Sequence, residues 1–421
     1  MKIALVNTAD TKGGAARAGL ALHKTLLKNG VNSKLIVQTK YGNDEFVFAA
    51  DANPFEKIYT LFRRAVDYFT IKFLTNEDKG RFSFPLFGKN ISKNKFLKEA
   101  DIIHLHWINE GFFSLKTFRQ LQKLNKPIVW TLHDMWAFTG GCHYDNGCGN
   151  FTTRCANCPS LKIKGDNDFS STIFARKLLL YQNIKYRVVT CSEWLARSAR
   201  ESVLFKDMEI TAIPNPIDVN VFKPVDKASA KKEFGLTPGK VHILFVTMTV
   251  KEKRKGFHLL KEALLMLNKN RPDLRDKIEL VVMGAADEEE TKRLPFPVKT
   301  LGRLSSTEEI VEGYNAADIF VAPSLQDNLP NTVMEALACG TPVVAFNIGG
   351  IPEMVEHMKN GCLAEELSVE DLAKGIALLA ENKNMRADFA KAGREKVLRH
   401  FAEEAVAERF ISYYKKILKE I

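Results

Sequence analysis

A chain of 421 residues, 45% of them hydrophobic, has room for two or three globular domains that each bury a core. No run of about 18 apolar residues occurs, so no membrane-spanning helix is expected. The formal charge of +11 favours anionic partners such as phosphates or an anionic lipid surface. Nucleic acid is not expected, because neither an arginine-rich tail nor a nucleic-acid motif accompanies the charge.

In chain order, strands alternate with helical segments. Residues 2–7 read as a short buried strand followed by polar residues, without the apolar region and cleavage site of a signal peptide, so a cytoplasmic site is expected. Gly13 and Gly14 come next, where glycines let backbone approach a ligand beside a helix start; a plain tight turn reads equally well. Further strands of a first sheet are expected at 33–38, 101–107, 127–133, 187–192 and 210–214. Before the strand at 101–107, Ile58, Leu61, Phe62, Ala65, Val66, Phe69 and Phe73 recur at helical spacing, with Arg63, Arg64 and Lys72 among them. That segment reads either as a helix packed on the first domain or as an interfacial helix that meets anionic lipid. His104, His106 and Trp107 end one strand, and His133-Asp134-Met135-Trp136 follows the next. Carboxyl ends of parallel strands are where ligand-binding groups collect, although packing roles read equally well for the first three.

Cys142, Cys148, Cys155 and Cys158 share one loop, and the Cys155-x-x-Cys158 spacing with two further thiols fits a structural tetrahedral zinc site. Four thiolates would leave no open catalytic position. Independent reduced thiols are the alternative, and a cytosolic disulfide is less expected. Cys191, Cys339 and Cys362 read as core. Ile213-Pro214-Asn215-Pro216-Ile217-Asp218 and then Phe222-Lys223-Pro224 form a proline-rich hinge.

A second sheet is expected from strands at 241–248, 277–284, 298–302, 319–323 and 341–347, and the alternation with helices implies parallel sheets with covered faces. Lys255-Gly256-Phe257 follows its first strand, where a lysine can neutralise a leaving diphosphate; a solvated basic loop with Lys251, Lys253 and Arg254 is the alternative. Pro323 and Ser324 end a buried strand, Asn328 to Pro330 turn, and a helix starts at Asn331 or Thr332 with Val333, Leu337 and Ala338 on its apolar face. Gly340 stops that helix, with Pro342 just beyond. The free amides and positive dipole end of its N-terminus suit a phosphate. Asp327 and Glu335, separated by seven residues, border that helix start. No Asp-x-Asp sits at a strand end, so no catalytic metal is expected.

The segment from Asp327 to Val344 resembles the donor-binding signature of the retaining glycosyltransferases of family 4, which have the GT-B fold. The family pattern is Glu, seven residues, Glu, then a run of small residues, and Glu335 through Ala-Cys-Gly-Thr-Pro-Val-Val matches it. Three departures stand out: Asp327 replaces the first Glu, Leu329-Pro330 replaces Phe-Gly, and no Gly-Arg pair precedes Lys255-Gly256. Arg254 is the residue chosen for the missing guanidinium. The Pro-Asn-Pro-Ile-Asp hinge also follows the family, and the resemblance covers almost the whole chain.

The resemblance implies an α/β chain of two Rossmann-like, doubly wound parallel-sheet domains facing a central cleft. Residues 1–213 would bind acceptor, residues 214–398 the nucleotide sugar, and residues 399–421 would form a helix crossing back to the first domain. Glu335 would hold the ribose hydroxyls and Asp327 the sugar ring. The Asn331 and Thr332 amides with Lys255 would hold the diphosphate, and Asn328 and Leu329 would line the same turn. Gly284 and the backbone near Arg303 would shape the nucleotide pocket, and Gly13 and Gly14 would face donor phosphates or acceptor. His133 would contact substrate with Asp134 orienting it, and His106 and Trp107 would line the acceptor side. The implied activity is a hexosyl transfer from a nucleotide sugar to a glycan or lipid-linked glycan in exopolysaccharide or capsule synthesis. It would need no cofactor for catalysis and would take place in the cytoplasm or at the inner face of the membrane. A GT-B-fold epimerase, needing no acceptor, and a non-catalytic nucleotide-sugar or lipid-binding protein are the other two readings.

Overall fold

The computed structural model describes residues 1–420 apart from 52, 77–80, 185, 286 and 287, with only the backbone of 288 described. Ile421, the last residue of the expected crossing helix, lies outside them. The chain divides into two compact units, one of Met1–Pro216 with Val406–Ile421 and one of Ile217–Ala405.

The first unit runs β1 (Lys2–Ala9), α1 (Gly14–Lys28), β2 (Asn32–Thr39), β3 (Val47–Ala49), α2 (Pro54–Leu74), α3 (Lys95–Glu99), β4 (Ile102–Leu105), α4 (Leu115–Gln122), β5 (Ile128–Leu132), α5 (Phe169–Tyr181), β6 (Tyr186–Thr190), α6 (Glu193–Glu201) and β7 (Ile210–Ala212). Its sheet has the order β3-β2-β1-β4-β5-β6-β7, and every pair is parallel. The period of two along each strand divides the core between the faces. Ile103, Trp130 and Val188 join one apolar cluster with Phe118 and Phe205, whereas Ile102, Val129 and Val189 join another.

The second unit runs α7 (Lys227–Glu233), β8 (Val241–Thr249), α8 (Phe257–Asn270), β9 (Ile278–Ala285), α9 (Glu288–Lys292), β10 (Val298–Gly302), α10 (Thr307–Ala316), β11 (Ile319–Ala322), α11 (Asn331–Ala338), β12 (Val343–Phe346), α12 (Ile351–Met354), β13 (Gly361–Ala364), α13 (Val369–Glu381) and α14 (Lys383–His400). The sheet order is β10-β9-β8-β11-β12-β13, again parallel throughout. In both sheets the strand order reverses beside the first strand, β1 next to β4 and β8 next to β11, which is where doubly wound sheets open for a ligand.

The last helix, α15 (Glu403–Lys419), lies mostly in the first unit. Its apolar stripe Val406, Phe410, Tyr414 and Ile417 completes the cluster that holds Leu5, Val129 and Val189. Tyr414 is also tied by its hydroxyl to His104 Nδ1 at 2.6 Å.

Several strands are shorter than the sequence suggests. β12 begins only after Pro342 and β7 ends before Pro214, because a proline offers no N–H to a ladder. Two strands carry no expectation from the sequence, the three-residue β3 and the four-residue β13.

Helix α2 packs on the first unit through an unexpected face. Its buried residues are polar: Thr60, Arg63 and Asp67. Ile58, Leu61, Phe62, Phe69 and Phe73 are exposed, so the reading of a helix packed by its apolar residues is corrected. Arg63 donates to Thr60 and lies over the Tyr59 ring at 5.1 Å, which lets a charged side chain line the buried face.

Candidate functional site

In the first unit, the carboxyl ends of β4 and β5 bring His106, Trp107, His133 and Asp134 around one small hollow, with Asn109, Thr131 and Trp136 also in its wall. His106 Nδ1 and His133 Nε2 are 3.0 Å apart. His133 Nδ1 lies 3.5 Å from the Cys191 thiol, which in turn is 3.2 Å from Asn215 Oδ1. Burial pushes His133 down to about 4, against the pull of Asp134, so the ring is neutral near pH 7. His104 falls to about 3 and His106 lies well below the ordinary range, both first through burial.

The Asp134 carboxylate accepts from Trp107 Nε1 at 2.9 Å, from the Trp136 amide at 2.9 Å and from His143 Nδ1 at 2.6 Å. Burial alone would raise its pKa, but His143 and these donors together hold it below the usual carboxylate value. Asp134 therefore fixes Trp107 and His143 at the edge of the hollow, and His143 is held from its other side by Ser83 at 2.9 Å. Gly13 caps α1 with φ of 100°, and a side chain added at Gly13 or Gly14 would meet nothing within 4 Å. No side chain caps that helix start and no carboxylate occupies its first turn, so a ligand has room to approach it.

The four thiols of the 142–158 loop are all free, with Cys142, Cys155 and Cys158 buried. Among the described residues no group of three or more His, Cys, Asp or Glu is placed to hold a metal ion. Burial pushes the Cys142 thiol far up and Cys155 up to about 12, which favours the protonated thiols. Cys155 Sγ accepts the Gly140 amide at 3.1 Å.

In the second unit, the loop after β8 and the loop after β11 meet at Asp327. Lys255 Nζ lies 2.7 Å and Arg254 Nη1 3.1 Å from Asp327 Oδ2. Arg254 also donates to the Gln326 carbonyl at 3.0 Å and pairs with Glu252 at 2.8 Å. Burial would raise the Asp327 carboxyl, but Lys255 and then Arg254 draw it down to about 2. The close approach depends on Gly256, which has φ of 72° and whose Cβ would stand 1.7 Å from the Pro323 carbonyl oxygen. Gly284 plays the same part at the end of β9, with φ of 123° and a Cβ position 1.7 Å from the Thr247 oxygen.

Asn328 and Leu329 are buried in the turn that leads into α11, which starts at Asn331 with Pro330 at its cap position. Glu335 is buried on α11 and accepts from the Tyr314 hydroxyl at 2.7 Å. Arg303 is exposed after β10. Asp327, Lys255 and Arg254 are thus brought together, and Glu335 lies one helix turn beyond Asn331 and Thr332. Tyr314 and His143 carry no expectation from the sequence, and Cys191, read as core, is buried as expected. Tyr314 looks like an apolar-face residue of α10, and only the fold shows that its hydroxyl reaches a carboxylate.

Two family models match the chain: "Glycosyltransferase Family 4" over residues 12–221 and "Glycosyl transferases group 1" over residues 226–396. The colanic acid biosynthesis glycosyl transferase WcaC of Escherichia coli K12, a provisional name, is 24% identical over 99% of this chain and 100% of its own length. An N,N'-diacetylbacillosaminyl-diphospho-undecaprenol alpha-1,3-N-acetylgalactosaminyltransferase of Campylobacter jejuni is 32% identical over 35% of this chain and 40% of its own. Among solved structures, Anabaena HepE in complex with UDP superimposes with a TM-score of 0.65 at 17% identity, covering 99% of this chain and 100% of that one. That likeness shows the GT-B fold.

Proposed function

We propose, on the premise that this chain is a group 1 glycosyltransferase with the family 4-like GT-B fold, that it is a retaining hexosyltransferase. It moves a sugar from a nucleotide sugar to a glycan or lipid-linked glycan during cell-surface polysaccharide synthesis. The observation that carries the reading is the Asp327 carboxylate held between Lys255 and Arg254 beside the start of α11. In this reading the two cations face the charge that develops on a leaving diphosphate, and charge of this kind supplies much of the rate enhancement in many transfer reactions. Glu335, set by Tyr314, takes the ribose hydroxyls. Asp327 takes the sugar ring, the Asn331 and Thr332 amides share the diphosphate with Lys255, and the base lies near Gly284 and Arg303.

In the reaction, the bond from the anomeric carbon to the diphosphate oxygen breaks. The acceptor oxygen forms its bond on the same face, and its proton passes to the departing diphosphate. His133, neutral near pH 7 and with its two ring nitrogens turned to His106 and Cys191, lies beside the sugar or acceptor without bringing a further positive charge. Trp107 and His106 line the acceptor side. The Campylobacter relative is named for a diphospho-undecaprenol acceptor, which supports a lipid-linked acceptor reached at the inner face of the cytoplasmic membrane. Anabaena HepE was solved with UDP and with UDP-glucose, which makes uridine diphosphate sugars the first donors to test.

The experiment is a thermal-shift screen with UDP, GDP, ADP and CMP and their sugars, repeated on Glu335→Ala. A ligand at 100 times its Kd stabilises by about 2.7 kcal/mol. One nucleotide should shift the native chain, and the variant should remain folded while losing the shift and the transfer of labelled sugar. An unchanged shift in Glu335→Ala removes Glu335 from the nucleotide site. Turnover of donor without any acceptor, yielding free nucleotide and a rearranged sugar, would instead favour an epimerase.

A further inference from the structure

Helix α2 is inside out. Thr60, Arg63 and Asp67 form its buried line. Phe55, Ile58, Leu61, Phe62, Phe69 and Phe73 are between 52% and 83% exposed. An apolar surface of this extent on a folded domain marks a place where something else covers it.

The strip is continuous. Tyr59 stacks on Phe62 with ring centroids 6.2 Å apart, and Phe69 stacks on Phe73 at 6.3 Å. Exposed Phe87, from the loop before α3, meets Phe62 at 6.5 Å. At the other end the Lys162 ammonium bonds the Lys72 carbonyl at 2.9 Å, which brings the 73% exposed Ile163 beside the helix terminus. With 21 residues the helix is about 30 Å long, so the strip has the length and shape of an element lying in a plane.

The charges on it have one sign. Lys57 and Lys72 project exposed from this helix, Arg64 faces Glu110 at 3.4 Å, which Arg81 also pairs, and Lys162 and Lys164 are exposed beside the helix end. Of the helix's two carboxylates, Asp67 is buried and Glu56 is held by Lys89 at 2.9 Å. The pairing of large aromatics with lysine and arginine is the chemistry of a helix seated among anionic headgroups, with rings at the acyl boundary and ammonium groups at the phosphates. A second copy of this chain on a two-fold axis would set these cations against their own mates, so charge disfavours that occupant.

We propose that the outward face of α2, extended by Phe87 and Ile163, docks this protein on an anionic lipid bilayer and inserts its aromatic rings at the interface. The assignment rests on no feature of the donor site, so it stands or falls separately from the transferase reading, while giving a lipid-linked acceptor a defined surface of approach.

The test is co-sedimentation of the full chain with vesicles of phosphatidylcholine alone and of phosphatidylcholine with phosphatidylglycerol. The native chain should partition at least tenfold more strongly onto the anionic vesicles and lose most of that preference in high salt. A Phe62→Ser, Phe69→Ser, Phe73→Ser variant should lose at least tenfold in partition. Its melting temperature and its nucleotide shift should be unchanged, because none of the three side chains is in the core. A Lys57→Glu, Lys72→Glu variant should lose the preference for anionic lipid. Equal binding to both vesicle types, or a serine variant that binds as the native chain does, overturns the proposal. A native dimer in light scattering that the serine variant converts to monomer also overturns it and assigns the face to a second copy.

Discussion

Asp134 and Asp327 share a setting, each in the loop beyond the carboxyl end of a parallel strand, each mostly buried and each held below the ordinary carboxylate pKa. They are held by different means. Asp134 is locked by an indole, an imidazole and a backbone amide, all short and rigid donors. Asp327 is neutralised by Lys255 and Arg254, long side chains that remain 21% and 23% exposed. A rigid cage positions its neighbours whether or not substrate is present. In the proposed reaction, a pair of long cationic side chains could be shared with a diphosphate at little strain, because acid and phosphate would compete for the same charge. The first unit is thus preorganised by shape and the second by charge that can be redirected.

The largest expected effect removes that charge. Lys255→Ala should lower kcat for transfer roughly 10²- to 10³-fold, the usual loss for one preorganised group facing developing charge. Single-turnover kinetics checks it, and an unchanged kcat would mean that Lys255 serves only Asp327. The next effect comes from acid. His133, His104 and His106 are depressed in the folded state, so between their folded values and the ordinary value of 6.5 the unfolded chain binds more protons. Stability contributed by the neutral rings is complete above about pH 6.5 and is lost as pH falls toward 4, with a slope of up to about 1.4 kcal/mol per pH unit for each histidine. Asp327 shows the carboxylate case: its contribution is present above about pH 4 and is lost only as pH falls toward 2. Acid titration followed by hydrogen exchange should therefore open the β4–β5 end before the β8–β11 end; the reverse order would break the comparison. The smallest effect is on Asp134. Asp134→Asn turns one carboxylate oxygen into a donor facing donors, and should cost about 2 kcal/mol of stability while leaving the nucleotide thermal shift intact. Loss of the shift would show that Asp134 does more than position Trp107 and His143.

The α/β class and the parallel sheets were readable because buried parallel strands are nearly continuous apolar runs, such as Ile243 to Val246 and Ile319 to Ala322. The Asp327 to Gly340 segment was readable because cap, turn and stop residues act locally: α11 starts at Asn331, and Gly340 follows it with φ of 72°. What was not readable is which way an amphipathic helix turns. Residues of α2 and of α15 both repeat an apolar stripe, yet α15 buries Val406, Phe410 and Tyr414 while α2 turns Phe62, Phe69 and Phe73 outward. Periodicity reports that a face exists, and only the neighbouring surface decides whether it is covered.

By itself, then, the sequence determined the local features of this protein: the strand and helix alternation, the proline-rich stretch at the boundary of the two units, the glycines where backbone must pass close, and the acidic and basic residues at strand ends. These depend on backbone sterics and on burial pattern over a few residues. Only the tertiary structure decided that Lys255 and Arg254 share Asp327, that Tyr314 sets Glu335, that His143 completes the Asp134 cage and that α2 faces outward. Those facts join residues 9 to 72 positions apart in the chain, or set a helix against a distant surface, and they follow from how the layers pack rather than from any short stretch of chain.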